Sequence, residues 1–328
     1  MSVPLMSLHR RAGARIVHTK YVPDRSALST LDAADIHQAM LRSIARLGRQ
    51  PQAMQLHWWG DLTDDSGDGG SQKLAEIASL LEQERVQQGL FRCLGVTNMG
   101  LEHLRIVADN ASVGLSQVAL SLVDRRPLYS GLLSFCAERS ISVVSYGALC
   151  GGFLSEKWLG KEEPSDEVVA ASQRKYLARI RVQGGWAEFQ RLLRDVAAVA
   201  LRHEGVRFAS VALAWALRYA DAVIVGCPKL GGDSSDDQLA AALAALELHL
   251  TDLDMKQLER PPPQELVGVA ETAVGVYDDE RNPLHPIGQA LAPWMNTAHL
   301  GPTYVSMTRT LHRLGAPCMH PGHVYQLL

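Results

Sequence analysis

The chain has 328 residues, of which 47% are hydrophobic, and a formal net charge of −3 at pH 7. Its length suits one large domain or two small ones, and its apolar content is sufficient for a sizeable core. The sequence contains no basic stripe, so we expect no nucleic-acid partner. No run approaches the roughly 18 uninterrupted apolar residues of a transmembrane helix, so we also expect no membrane partner.

The five cysteines are scattered along the chain and include no CxxC pair. An odd number of cysteines without regular spacing is typical of reduced thiols, which predicts a cytoplasmic protein. The short apolar stretch at the N-terminus is followed, rather than preceded, by the charged residues Arg10 and Arg11. This order argues against a secretory signal.

Short apolar runs alternate with helix-like segments along the chain. The predicted strands are residues 16–20, 54–57, 93–98, 115–120, 143–146 and 222–226. The predicted helices are residues 30–47, 71–88, 186–203, 208–218 and 238–246, with two shorter ones beginning near 101 and 132. Gly48 and Gly89 are plausible ends of the first two helices. Residues 61–70, 151–185 and 233–237 are predicted as loops or connections.

This alternation predicts an α/β protein built from right-handed βαβ units around a parallel sheet. A doubly wound sheet that binds a dinucleotide would carry GxGxxG after its first strand, and that motif is absent. A barrel explains the pattern better, because its site is assembled from the ends of many strands.

Residues of catalytic or cofactor-binding type lie at or near the ends of these runs. They are Lys20, His57, Thr97, Asn98, Gln117 and Tyr146. A lysine and a histidine could stabilise and protonate a carbonyl oxygen. Amide side chains offer both a donor and an acceptor, and a flat ring can stack on a flat cofactor. Each residue also has an ordinary structural interpretation: a surface charge, a satisfied histidine, a helix cap, backbone pairing or plain core.

Six motifs follow one another in the order seen in aldo-keto reductases. They are Val17-His-Thr-Lys20, Gln55-Leu-His57-Trp-Trp, Gly95-Val-Thr97-Asn98, Ser116-Gln117, Val144-Ser-Tyr146 and Val223-Ile-Val-Gly226. The chain therefore resembles that family over roughly residues 14–260. The resemblance implies a (β/α)₈ TIM barrel that binds NADP(H) and reduces aldehyde or ketone carbonyls of small substrates by hydride transfer.

The resemblance assigns roles to individual residues. Lys20 matches the lysine that lowers the pKa of the family's catalytic tyrosine, and His57 matches the histidine that orients the substrate carbonyl. Thr97, Asn98 and Gln117 match the positions that hydrogen-bond the nicotinamide carboxamide.

The nucleotide end of the resemblance is less complete. Tyr146 matches the residue on which the nicotinamide stacks, Lys229 falls near the contact to the adenosine phosphate, and Gln238 falls near a nucleotide-edge position. Lys229 also fits an ordinary loop lysine. Where the family tends to carry an acidic residue followed by asparagine, this chain has Ala241 and Ala242. We therefore expect weak NADP(H) binding.

The first two strands of the family, with their catalytic aspartate and tyrosine, have no match here. Only 19 residues precede Lys20. Tyr21 is no replacement, because successive strand residues point to opposite faces. We therefore expect an incomplete barrel that contains the family's strands 3–8. Its open edges would allow self-association.

We divide the chain into an N-terminal remnant at 1–13, a partial barrel at 14–260 and a poorly matched extension at 261–328. Three explanations remain open: an incomplete, truncated gene product, a degenerate barrel without activity, or an extension that fills the gap. The extension has one plausible helix, at 304–314, and its histidines lack the spacing of a metal site.

Two functions follow from these observations. One is an impaired NADP(H)-dependent oxidoreductase, and the other is an inactive barrel that binds a nucleotide or a protein. Whether the chain is an enzyme stays open at this point, because the resemblance lacks the catalytic tyrosine.

Overall fold

The computed structural model describes residues 16–24, 27–58, 70–226, 233–259, 304–308 and 325–327. Within them, eight strands form a closed barrel in the order β1 to β8. The strands are β1 Ile16–Tyr21, β2 Ala53–His57, β3 Cys93–Thr97, β4 Val113–Ala119, β5 Ser142–Tyr146, β6 Ala222–Gly226, β7 Tyr304–Thr308 and β8 Tyr325–Leu327. All six predicted strands are confirmed, with ends that differ by at most two residues.

Ten α-helices are present in the described part of the chain. They are α1 Ala33–Leu47, α2 Gly70–Gln83, α3 Leu101–Asn110, α4 Arg126–Tyr129, α5 Leu132–Glu138, α6 Ala171–Val182, α7 Gly185–Arg202, α8 Phe208–Tyr219, α9 Asp233–Glu247 and α10 Asp252–Leu258. A π-helical turn, Glu84–Gln88, extends α2 to the predicted stop at Gly89. Gly48 ends α1 with a left-handed φ of 64°, which glycine adopts without strain.

Two predicted loops contain helices. Helix α6 lies within the connection predicted at 151–185, and residues 233–237 form the first turns of α9 instead of a solvated loop. The correction at α9 has a simple reason, since acidic residues favour the first turn of a helix as well as a loop.

Six strands, β1 to β6, run parallel to one another, as predicted. Strand β7 pairs antiparallel with β6 and with β8, and β8 pairs parallel with β1. The expectation of two missing strands is therefore not confirmed. The described strands leave no open barrel edge, so the predicted basis for self-association is absent from them. Of the three explanations, the structure matches the one in which the extension fills the gap.

The helix predicted at 304–314 is wrong over residues 304–308, which form β7, and residues 309–314 lie outside the described part. The sequence Tyr-Val-Ser-Met-Thr is rich in residues that favour strands. The flanking strands also offer unpaired backbone groups, and pairing with them satisfies both partners.

The two faces of the strands meet different surroundings. Outward side chains such as Leu56 and Val96 pack with the helices in the main core, which includes Ile36 and Trp215. Tyr21 belongs to this outer layer, and burial, with the nearby Asp35 carboxylate, raises its pKa to about 12. A second, small cluster contains the inward residues Ala53, Cys93, Leu115, Val144, Ala222 and Ile224.

The prediction of reduced cysteines is wrong for Cys93, which is disulfide-bonded. Cys136 and Cys150 are free and buried. Sequence spacing could not anticipate the bond, because a disulfide depends on the distance between residues in the fold. None of the described helices is long and apolar enough to cross a membrane.

Candidate functional site

Four of the predicted site residues line one cavity at the carboxyl ends of the parallel strands. Lys20 of β1, Gln117 of β4 and Tyr146 of β5 border a space of about 1230 Å³. The cavity continues past the end of β6 to Gln238 on α9, the predicted nucleotide-edge position, which is exposed. Lys229 lies outside the described residues.

Lys20 is partly buried, and its burial lowers its pKa to about 8. His18 lies two residues earlier on the same face of β1, and its pKa is lowered to about 4 by burial and by the charge of Lys20. At pH 7 the structure therefore has a neutral imidazole next to an ammonium that remains mostly protonated. This arrangement provides one positive charge at the mouth of the barrel.

His57, Thr97 and Asn98 lie close to this cavity without lining it. The Asn98 Nδ2 atom is 3.3 Å from Nε2 of His57, and the Asn98 backbone N–H donates to the Gln117 carbonyl at 3.0 Å. Asn98 has a left-handed φ of 57°, a conformation that asparagine tolerates better than most residues. The ends of β2, β3 and β4 are thus joined into one polar group.

Two buried amide oxygens in this group accept no hydrogen bond from the residues that the structure describes. They are Oδ1 of Asn98 and Oε1 of Gln117. A buried acceptor without a partner costs about 1–3 kcal/mol, so such atoms are rare unless a ligand or a water completes them. The two oxygens fit a ligand that brings N–H donors, and a carboxamide is such a group.

Gln55 was missed by the sequence analysis. Its side chain is fully buried, and both of its amide atoms have no partner among the described side chains and backbone. A Cβ at Gly95, its register partner on β3, would lie 2.7 Å from Cγ of Leu115 and 3.1 Å from Cγ of Gln55. The signal for Gln55 was its position two residues before His57 in an apolar strand, on the same face.

Tyr146 is partly buried, and its ring has a cation on one side. The ammonium of Lys175, from α6, lies 5.7 Å from the Tyr146 ring centroid and 5.0 Å from that of Tyr176. Tyr176 packs on a turn in which a Cβ at Gly151 would lie 2.6 Å from its Cδ2 atom. The sequence analysis missed Lys175 and Tyr176 because they lie on a helix that it treated as connection.

The charged side chains that line the cavity, among the described ones, are mainly positive. They are Lys20, Lys157, Lys175 and Arg207, together with one carboxylate, Glu156. Glu156 is already engaged, because its Oε1 atom accepts from Nε of Arg207 at 3.1 Å and from the Phe208 backbone N–H at 2.9 Å. A cleft lined by one sign of charge attracts ligands of the opposite sign, so this cavity suits an anion. No cluster of metal-ligating side chains occurs among the described residues.

Comparison with known proteins identifies the family and the fold. The model of the Aldo/keto reductase family matches residues 9–260. The chain is 22% identical, over 240 residues, to the NADH-specific methylglyoxal reductase of Escherichia coli, with 71% of this chain and 66% of that enzyme covered.

Two solved structures are similar in fold. The glycerol dehydrogenase of Gluconobacter oxydans has a TM-score of 0.53 at 22% identity, covering 69% of this chain and 63% of that one. An aldo/keto reductase of Klebsiella pneumoniae, solved with NADP and acetate, has a TM-score of 0.51 at 24% identity, covering 79% and 74%. The chain spans about two thirds of the length of the first proteins it matches. Because the family model covers most of the sequence, the chain belongs to the aldo/keto reductase family.

Proposed function

We propose that this chain binds NADP(H) in the cationic cavity and has the carbonyl oxidoreductase chemistry of its family. The observation that carries the proposal is the meeting of Lys20, Gln117 and Tyr146 at one cavity lined mainly by cations. The Klebsiella relative was solved with NADP, which supports the choice of cofactor. The bound cofactor would supply the hydride.

The residues of the site have separate tasks in this proposal. Asn98 and Gln117 hold the carboxamide through their unpartnered oxygens, and Tyr146 offers its ring for stacking. Lys157 and Arg207 attract the phosphates, together with Lys229. The substrate is a small carbonyl compound, and the charge that develops on its oxygen is met by Lys20 and His57.

We propose that turnover is slow. Among the described side chains, only Tyr146 and Tyr176 are tyrosines that line the cavity, and Tyr21 packs in the outer layer. Loss of a positioned acid lowers the rate by about 10²–10⁴-fold. The second candidate function, a barrel that binds nucleotide without chemistry, is favoured by this same observation.

The binding proposal is tested by fluorescence titration with NADPH and NADH. We expect saturable binding of NADPH, weak in absolute terms and tighter than that of NADH. Lys157→Met should weaken NADPH binding about tenfold, since a hydrogen bond to a charged group contributes about 1.5–3 kcal/mol. Lys161→Met is the matched control, because Lys161 is exposed and lies outside the cavity. No saturation by NADPH, or tighter binding of NADH, would contradict the proposal.

The chemistry is tested by NADPH oxidation with a reactive aldehyde. Slow turnover that falls further in Lys20→Met supports an impaired reductase, and binding without turnover supports the second candidate. Brisk turnover that Lys20→Met and His57→Ala both abolish would show that the site suffices without the family's tyrosine.

A further inference from the structure

The ammonium of Lys175 lies between two tyrosine rings at the edge of the cavity. It is 5.7 Å from the Tyr146 centroid and 5.0 Å from the Tyr176 centroid. Such cation–π contacts are weak at exposed sites and stronger where water is partly excluded, as around this partly buried lysine. The charge of Lys175 is therefore held beside the ring on which, in the proposed function, the nicotinamide stacks.

The position of Lys175 is set by the anchoring of α6. The Gln173 side chain donates to the Gly151 carbonyl at 2.7 Å. Tyr176 packs on the turn that contains Gly147 and Gly151, where a Cβ would lie 3.0 Å and 2.6 Å from its ring atoms. These contacts before and after Lys175 keep the start of the helix at the wall of the cavity.

The carboxylates that share a cavity with Lys175 already bind arginines. Asp124 borders a small cavity together with Lys175 and Tyr146, and it pairs with Arg126 at 2.6 Å. Glu156 lines the main cavity and pairs with Arg207 at 3.1 Å. The charge of Lys175 is consequently not neutralised by these groups. It contributes a positive potential at the edge of the cavity, close to Tyr146.

We propose that Lys175 makes the site favour the reduced over the oxidised cofactor. The inference rests on the proposed function. An oxidised nicotinamide ring carries a positive charge and a reduced ring is neutral, whereas the phosphates are the same in both. Repulsion from Lys175 therefore acts on the oxidised form, and phosphate attraction cancels in the ratio of the two affinities. Coulomb repulsion decreases with distance and solvent screening, so for a partly buried lysine we expect about a fivefold effect.

The test compares the dissociation constants of NADP⁺ and NADPH, measured by calorimetry, in the wild type, Lys175→Met and Lys175→Arg. We expect the ratio of NADP⁺ to NADPH dissociation constants to fall about fivefold in Lys175→Met and to persist in Lys175→Arg, which keeps the charge. Lys157→Met is the matched comparison: it should weaken both forms by the same factor and leave the ratio unchanged.

An affinity ratio does not depend on the folded fraction of a preparation, so partial misfolding of a variant does not mimic the effect. An unchanged ratio in Lys175→Met, with both forms bound, would overturn the inference and leave the proposed function standing. Failure of the wild type to bind either form would overturn both.

Discussion

Asp254 in the outer layer of the barrel and Gln55 in its interior are both buried polar residues, but their hydrogen bonding differs. In the outer layer, Asp254 is buried and accepts hydrogen bonds from Arg202, His203 and Thr251 at 2.7–2.9 Å. In the interior, Gln55 is equally buried, yet neither of its amide atoms has a partner among the described residues. Because folded proteins satisfy most buried polar groups, we infer that Asp254 stabilises the fold and that the Gln55 amide is left for a ligand.

We expect the largest loss of stability when the hydrogen bonds of Asp254 are removed. Burial alone would raise the pKa of Asp254, but hydrogen bonds from His203, Thr251 and Arg202 outweigh it and hold the pKa far below its ordinary value. The ionised carboxylate thus stabilises the fold above its ordinary pKa of about 4. We predict that Asp254→Asn loses about 3–5 kcal/mol of unfolding free energy at pH 7.

The pH dependence checks the cause of this loss. As the pH falls below about 4, the wild type itself loses the contribution of Asp254, because its lowered folded-state pKa makes protonation favour the unfolded chain. Urea unfolding at pH 7 and pH 3.5 should show a smaller difference between wild type and variant at the lower pH. A difference independent of pH would contradict the assigned role of the charge.

Core packing in the outer layer gives the second effect. Leu56 faces outward from β2 and is fully buried in the main core. Leu56→Ala should lower the unfolding free energy by about 2–5 kcal/mol, through lost burial and a residual cavity. Affinity for NADPH per folded molecule should stay at the wild-type value. Urea unfolding measures the stability and titration of the same preparation measures the NADPH affinity. Weakened NADPH binding would show that the outer layer also shapes the interior site.

Replacement of Gln55 should act in the opposite direction. Gln55→Met keeps the length of the side chain and removes two buried polar atoms that lack partners among the described residues. Stability should rise by about 1–3 kcal/mol, the cost of an unsatisfied buried group. A lowered midpoint of thermal unfolding would mean that Gln55 is satisfied in the folded protein, and the comparison of the two regions would fail.

Much of this division was predictable from the sequence. The apolar runs predicted all six parallel strands, and the residues at the ends of β1, β4 and β5 were expected to meet, as Lys20, Gln117 and Tyr146 do at the cavity. Successive side chains of a strand point to opposite faces, which is why Tyr21 was expected to face away from Lys20.

The remaining features depend on contacts between residues distant in sequence. Strand β7 acquires its conformation by pairing with β6 and β8, so its local pattern was misinterpreted as a helix. The lack of hydrogen-bond partners at Gln55 becomes visible only once the neighbouring strands are placed around it. Lys175 was not recognised because its role depends on its contact with the ring of Tyr146, which is 29 positions away in the printed sequence. No local propensity reports such pairings.

An experimental structure of the chain with NADPH tests the central claim most directly, because it locates the ligand relative to the interior polar group. We predict that the carboxamide lies within hydrogen-bond distance of Asn98 and Gln117, that the nicotinamide stacks on Tyr146, and that the phosphates lie toward Lys157 and Gln238. NADPH bound outside this cavity, or bound in it while the side-chain oxygens of Asn98 and Gln117 still lack partners, would contradict the account.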